Sequence, residues 1–146
     1  MQPLIIRCFH PEASISHPFV FYISNKGHNA GMPLLVSTTD CYKCIATDKA
    51  MFDFYFWLCF GLYEAGKFKP SRRRMYCPCI NISDIHFTVR GFAPCIYPKY
   101  QRYQQILESF TNPESRNISL AEQIVLTRQL QKNLILAHEV KRPQLL

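Results

Sequence analysis

The stretch from Met51 to Tyr63 constrains the fold of this chain more than any other segment. Its 13 residues are apolar apart from Asp53, and seven of them are aromatic. A helix that crosses a bilayer needs about 20 apolar residues, so this stretch is too short to span a membrane. Because a helix that is apolar all round is normally buried on most sides, we expect a central core helix over Asp48–Ala65. The alternative is an aromatic surface exposed for a partner protein.

The residues that flank this stretch are suited to end a helix. Thr47 or Asp48 can cap its N-terminus, and the Asp48 carboxylate also suits the positive end of the helix dipole. Gly66 can adopt the left-handed conformation that often follows a helix. The flanking sequence therefore supports the same helix as the apolar stretch.

Short extended segments are expected on both sides of the central helix. Residue composition predicts strands at Leu4–Phe9, Phe19–Ile23, Leu34–Ser37 and Cys41–Ala46. Alternation predicts two more strands, at Tyr76–Ile82 and Ile85–Arg90, and Pro78 favours a sheet edge for the first of them. The following segment, Gly91–Pro98, is expected to be irregular.

Two further helices are expected near the C-terminus. Tyr100–Phe110 carries its apolar residues on one helical face. Ser119 and Glu122 have capping-box spacing, which predicts the start of a helix over Ser119–Val140. Its apolar stripe comprises Leu126, Leu130, Leu134 and Ala137, with Val140 extending it. This stripe either packs across the domain or pairs with a second copy in a homodimer.

Length and composition fit one compact domain. The chain has 146 residues, of which 48% are hydrophobic, so it can bury a sizeable core. We expect a single α+β domain over residues 1–146, with a mainly antiparallel sheet packed around the aromatic helix and a long C-terminal helix. The first ten residues lack the pattern of a signal peptide, and seven cysteines are an odd number. We therefore expect a cytoplasmic protein without membrane association.

The positive charge is concentrated in the middle third of the chain. The net charge is +7, and residues 65–107 carry eight basic side chains against Asp84 alone. Five of the eight lie in the segment 67–74, here called the basic connector. Such a concentration attracts polyanions, although a connector that only keeps the protein soluble is the alternative. The candidate nucleic-acid contacts are Lys67, Lys69, Arg72, Arg73, Arg74 and Tyr76.

Aromatic residues near the basic connector extend this hypothesis. Tyr97, Tyr100 and Tyr103 lie among basic residues, and exposed aromatic rings can stack on unpaired bases. The sequence carries no helix-turn-helix, zinc-finger or RNA-recognition pattern. We therefore expect contact with the nucleic-acid backbone rather than base readout.

Four cysteines form a candidate metal or thiol site. Cys41 and Cys44 are separated by two residues, and Cys77 and Cys79 by one. Four thiolates can hold a tetrahedral zinc ion, but the second spacing is tight and the chain has enough apolar material to fold without metal. Buried or half-exposed free thiols are the alternative, and a redox pair at Cys41 and Cys44 is a third.

Motifs for catalysis are missing from the sequence. The five histidines are scattered and none belongs to a nucleophile motif. The segment Gly27–Gly31 lacks the Lys-Ser/Thr pair of a phosphate loop, and there is no dinucleotide-binding glycine pattern. These absences favour a non-enzymatic binding protein without a cofactor.

The segment Phe21–Pro33, the Asp40–Cys44 segment and the aromatic helix together resemble one family. It is an uncharacterised family of small proteins that gut Bacteroidetes and their mobile elements encode. The resemblance covers about residues 15–110. It implies a cytoplasmic bacterial setting and an accessory role related to DNA, and it assigns no role to any residue.

Overall fold

The chain folds into a four-stranded sheet and three helices. The computed structural model describes residues 1–11, 17–70, 77–110 and 120–140. Within these ranges the elements are β1 (Ile5–Cys8), β2 (Val20–Ser24), β3 (Pro33–Leu34), β4 (Cys41–Ile45), α1 (Lys49–Glu64), α2 (Ile82–Phe110) and α3 (Leu120–Val140). The predicted α+β class is confirmed, as are its antiparallel sheet, its aromatic-rich helix and its long C-terminal helix.

Helix α1 begins and ends at the predicted residues. The Asp48 carboxylate accepts a hydrogen bond from the backbone N–H of Met51 at 2.8 Å, which satisfies a donor that the first turn leaves unpaired. Gly66 has a φ of 68°, and its N–H donates to the carbonyl of Tyr63 at 3.0 Å. A residue with a side chain would be strained in this conformation, so glycine suits the turn that leads into the basic connector.

The sheet has one buried and one open face. Its strands are all antiparallel and follow the order β1-β4-β2-β3, so β1 and β3 are the edges. Phe21, Ile23 and Cys44 are fully buried on the inner face, which packs on the helices. Because side chains alternate along a strand, their neighbours Tyr22 and Lys43 point to the outer face.

Helix α1 packs between the sheet and helix α2. The Phe54 ring lies 4.9 Å from the ring centroid of Tyr97 and 5.2 Å from that of Tyr100. On another side of α1, Phe56 contacts Phe21 of the sheet at 5.5 Å. The alternative of an aromatic surface exposed for a partner is therefore wrong. Among the described helices, none is long and apolar enough to cross a membrane.

Helix α2 replaces the strand predicted at Ile85–Arg90 and the irregular segment predicted at Gly91–Pro98. Both predictions are wrong, because one helix runs over Ile82–Phe110 and contains Pro94 and Pro98. Each proline removes a backbone donor and normally breaks a helix. Burial outweighs this cost, since the buried side chains recur at helical spacing. They are Ile85, Val89, Phe92, Ala93, Ile96 and Tyr100. The predicted helix Tyr100–Phe110 is the C-terminal part of α2.

The prediction of a strand at Tyr76–Ile82 is also wrong for residues 77–82, which are the part that the structure describes. The described part begins at Cys77 and makes one isolated bridge, between Lys26 and Cys79. The carbonyl of Pro78 accepts from the N–H of Gly27 at 2.9 Å, so this segment lies against the loop after β2. Tyr76 lies outside the described residues. Pro78 has no backbone N–H, so it cannot donate a hydrogen bond to a longer strand ladder.

Helix α3 packs on α1 through a face other than the predicted one. Gln131 and Ile135 are buried, at 4% and 0% exposure, and Gln131 donates to the carbonyl of Trp57. Leu130 is 49% exposed and Ala137 is exposed. At 100° per residue, these two lie on the side opposite Gln131 and Ile135. The expectation that the apolar stripe packs across the domain is therefore wrong for its exposed described members. Ser119 and its capping box lie outside the described side chains.

The close contact of α1 and α3 depends on a glycine. A Cβ atom at Gly61 would lie 2.6 Å from Cδ1 of Ile135 and 2.7 Å from Cγ of Gln131. We expect Gly61→Leu to lower the free energy of unfolding by about 1–3 kcal/mol, because overpacking costs more than the helix propensity that leucine adds. Urea unfolding followed by circular dichroism measures the change.

The matched control for this prediction is Glu64→Leu, at an exposed position of the same helix. It adds the same side chain without meeting α3, so we expect a change within about 0.5 kcal/mol. Equal stability of Gly61→Leu and the control would show that α3 does not pack on α1 at Gly61.

Candidate functional site

The start of the basic connector is held in place by the end of α1. The backbone N–H of Lys67 donates to the carbonyl of Leu62 at 2.9 Å, which extends the helix cap by one bond. The next side chain, Phe68, is only 5% exposed and lies against Gly31. Burial of Phe68 fixes the backbone on both sides of it. Lys67 and Lys69 are therefore positioned by the core, and Lys69 is exposed.

An open groove of about 1000 Å³ separates the connector from the first turns of α2. The connector supplies the two lysines, and α2 supplies the opposite wall. The described lining consists of Lys67, Lys69, Ser83, His86, Phe87, Thr88, Arg90, Gly91 and Phe92. We call this feature the basic groove. Its volume reaches the upper end of the range typical of ligand sites.

The charge of the basic groove is positive. Lys67, Lys69 and Arg90 line it, and none of the described lining residues carries a carboxylate. The nearest acid along α2 is Asp84, in the first helical turn. The N-terminal end of α2 adds the positive end of a helix dipole, which Asp84 partly offsets. The balance of these charges favours an anionic ligand.

An exposed aromatic ring lies in the basic groove. Phe87 is 83% exposed, which is unusual for so large an apolar side chain. Its neighbour in the groove, His86, is half-buried. A ring exposed among cations offers both a stacking surface and a phosphate environment. The groove can therefore contact the two chemical parts of a nucleotide.

The structure brings together only some of the predicted nucleic-acid contacts. Lys67 and Lys69 both line the basic groove. Arg72, Arg73, Arg74 and Tyr76 lie outside the described residues, so their contribution stays a prediction. Sequence reasoning missed His86, Phe87 and Arg90, because the segment was interpreted as a strand. A helical interpretation would have placed Ser83, Phe87 and Arg90 on one face, at spacings of three and four residues.

The tyrosines predicted to stack on bases are core residues instead. Tyr100 is buried and contacts both Phe54 and Trp57, and burial raises its pKa. Tyr97 is half-buried against Phe54, and Tyr103 packs near Trp57. Their rings form part of the contact between α1 and α2. The proposed role as an exposed stacking surface is therefore wrong for Tyr100, and for the half-buried Tyr97 and Tyr103 it stays a prediction.

The four candidate zinc ligands do not form a metal cluster in the structure. In residues 1–11, 17–70, 77–110 and 120–140, no three histidine, cysteine or acidic side chains are placed to share a metal ion. Cys44 is fully buried, and Cys41 is buried with its Sγ donating to the carbonyl of Thr38 at 3.0 Å. Cys77 is exposed and Cys79 is half-buried. The two pairs have different environments, and none of the seven cysteines forms a disulfide.

Comparison with known proteins identifies a family for most of the chain. A family of unknown function, DUF6943, matches residues 6–137. The match includes β1 from Ile6 onward, the other strands, α1 and α2, and all described residues that line the basic groove. No curated protein and no solved structure matches the chain.

The burial of the thiols predicts how they react. Burial raises the pKa of Cys44 and of Cys59 well above that of a free thiol, so both stay protonated and unreactive. We expect a thiol-specific disulfide reagent at about pH 8 to modify Cys8, Cys77 and Cys95 first. Cys44 and Cys59 should react only after the protein is unfolded in urea.

Two variants identify the thiols in this assay. Cys77→Ala should remove one thiol from the fast phase, whereas Cys59→Ala should leave the fast phase unchanged and remove one thiol from the total. Fast modification of Cys59 in the folded protein would contradict its burial within the core.

Proposed function

The chain belongs to the DUF6943 family of unknown function, and we propose that it is a non-enzymatic protein that binds nucleic acid or another polyanion through the basic groove. One observation carries this proposal: three cationic side chains and an exposed Phe87 line one groove, and no described lining residue carries a carboxylate. The proposal includes a cytoplasmic location, where nucleic acid is available and thiols stay reduced.

The physical basis of binding is the release of counterions. Each phosphate that a lysine or arginine neutralises frees condensed cations from the nucleic acid, which favours binding at low salt. Such contacts carry no sequence information. The groove presents the cationic side chains of Lys67, Lys69 and Arg90, which can contact phosphates without reading the edges of bases. Binding should therefore depend on charge and strand state more than on sequence.

The first test of this function is fluorescence anisotropy with a labelled duplex at about 50 and 200 mM salt. We expect the protein to bind, and the affinity to fall steeply as salt rises. The double variant Lys69→Ala/Arg90→Ala should weaken binding at least about tenfold at the lower salt. It should also reduce the slope of log affinity against log salt by about 1.8, since each phosphate contact contributes about 0.9.

A matched control separates the groove from net charge. Arg102 and Lys132 are exposed on α2 and α3 and do not line the groove. The double variant Arg102→Ala/Lys132→Ala removes the same two charges, and we expect it to bind almost as the wild type does. Equal losses in both double variants would reject the groove as the site.

A second candidate function is self-association through α3. Leu130 is 49% exposed and Val125 is 61% exposed on the described part of this helix. Leu130 lies opposite the face that α1 covers, and Ala137 is exposed on the same side. A second copy of α3 offers the same apolar side chains, as a two-fold interface requires. This proposal concerns a different surface from the basic groove, so the two functions can coexist.

Light scattering after gel filtration tests self-association. We expect a dimer of twice the 17.1 kDa chain mass for the wild type. Leu130→Glu should give the monomer, because a charge at the centre of an apolar contact is not solvated. Lys132→Gln is the control, since it changes net charge by the same amount on another side of α3. A monomeric wild type at high concentration would reject this candidate.

A further inference from the structure

The outer face of the sheet carries two rows of side chains with different chemistry. Strand pairing aligns Ile5 with Ile45, and Ile45 with Val20, which forms an apolar row across three strands. The adjacent row aligns Arg7 with Lys43, and Lys43 with Tyr22. Residues directly opposite each other in an antiparallel pair share a face. The outer face therefore presents an apolar row beside a cationic and aromatic row.

The cationic row places two positive charges side by side on neighbouring strands, since Arg7 lies directly opposite Lys43. In the apolar row, Ile5 is 43% exposed at the edge of the sheet. A ligand that is anionic in one part and apolar in another would contact both rows.

A cavity of about 420 Å³ lies over these rows. Arg7, Lys43 and Ile45 form part of its wall, together with His10 and His17. Phe9 also lines the cavity, and its ring contacts Tyr22 edge-on at 5.4 Å. The described lining contains no carboxylate. The cavity is thus a second site with positive charge and aromatic surface, apart from the basic groove.

We propose that the outer face of the sheet takes an unpaired segment of single-stranded nucleic acid. Its phosphates lie at Arg7 and Lys43, and its bases lie against Phe9 and the apolar row. This inference rests on the proposed function, and it adds a second surface and a preference for single strands. We call this surface the sheet site.

The chemistry of the sheet site favours a single strand over a duplex or an acidic peptide. A duplex keeps its bases stacked inside, so it would leave the apolar row and Phe9 without a partner. An acidic peptide supplies anions but no large flat rings. An unpaired strand offers a phosphate beside every exposed base, which matches the two adjacent rows.

The experiment compares three labelled ligands by anisotropy at about 50 mM salt. They are a thymidine oligonucleotide, an abasic oligonucleotide of the same length, and a duplex. We expect the wild type to bind the thymidine strand about tenfold more tightly than the abasic strand, because stacked bases add affinity that phosphates alone do not. Similar affinity for the two strands would overturn the base contact.

Two variants locate this preference on the sheet. Arg7→Gln/Lys43→Gln should weaken single-strand binding about tenfold and leave duplex binding within twofold. Phe9→Leu/Tyr22→Leu should remove the difference between the thymidine and abasic strands. The same measurements on Lys69→Ala/Arg90→Ala report on the basic groove. Wild-type affinity of both sheet variants for the thymidine strand would overturn the sheet site.

The outcomes separate this inference from the proposed function. Loss of duplex binding in the groove variant, together with unchanged single-strand binding in the sheet variants, supports the groove and rejects the sheet site. Single-strand binding that depends on Arg7 and Lys43, without any duplex binding, supports the sheet site and rejects the groove. Thermal unfolding confirms that each variant is folded, and Arg102→Gln/Lys132→Gln, which removes two exposed positive charges, serves as the charge control.

Discussion

The burial of α1 is the constraint on which the rest of the structure depends. Aromatic side chains project from most of its circumference, so no single neighbour can cover them. The sheet covers Phe52 and Phe56 through Phe21, and α2 covers Phe54. Helix α3 covers the remaining side, where the missing side chain of Gly61 leaves room for Gln131 and Ile135. Every described element except the outer face of the sheet is thus arranged around one helix.

The packing of the other elements around α1 also determines which surfaces stay exposed. The inner face of the sheet is used by the core, so Arg7, Lys43 and Tyr22 must lie on the outer face. At the end of α1, burial of Phe68 holds the connector beside α2 and leaves Lys69 exposed. The cationic surfaces therefore consist of side chains on those faces of the sheet and the connector that do not pack on the aromatic helix.

Local signals in the sequence predicted much of the fold. The caps of α1 at Asp48 and Gly66 were predictable because each depends on one residue type and on its immediate neighbours. Strands β1, β2 and β4 were predictable from composition, whereas the strand predicted at Leu34–Ser37 shares only Leu34 with β3. The positive charge that Lys67 and Lys69 bring to the groove was predictable from the concentration of basic residues. These features depend on residues that are close in sequence.

The errors arose where contacts distant in sequence decide the structure. Ile85–Arg90 alternates like a strand, yet Ile85 and Val89 are also one helical turn apart, and their burial in the core fits the helix. Pro94 and Pro98 supported the wrong choice, because the packing that compensates for them is not visible locally. Because the segment was predicted as a strand, the sequence did not indicate that Phe87 and Arg90 line the same groove. On α3, Gln131 rather than the leucine stripe faces α1, because its amide reaches the Trp57 carbonyl.

The edge strand β1 lies between the two cationic surfaces. Leu4 and Ile6, on one side of the chain, line a small cavity together with His86 and Arg90, which also belong to the basic groove. Ile5 and Arg7, on the other side, belong to the outer face. A strand is a single layer of backbone whose side chains alternate between two faces, so β1 contributes to both sides without joining them. The basic groove and the cavity on the outer face share no described lining residue, and substitutions in one therefore leave the lining of the other unchanged.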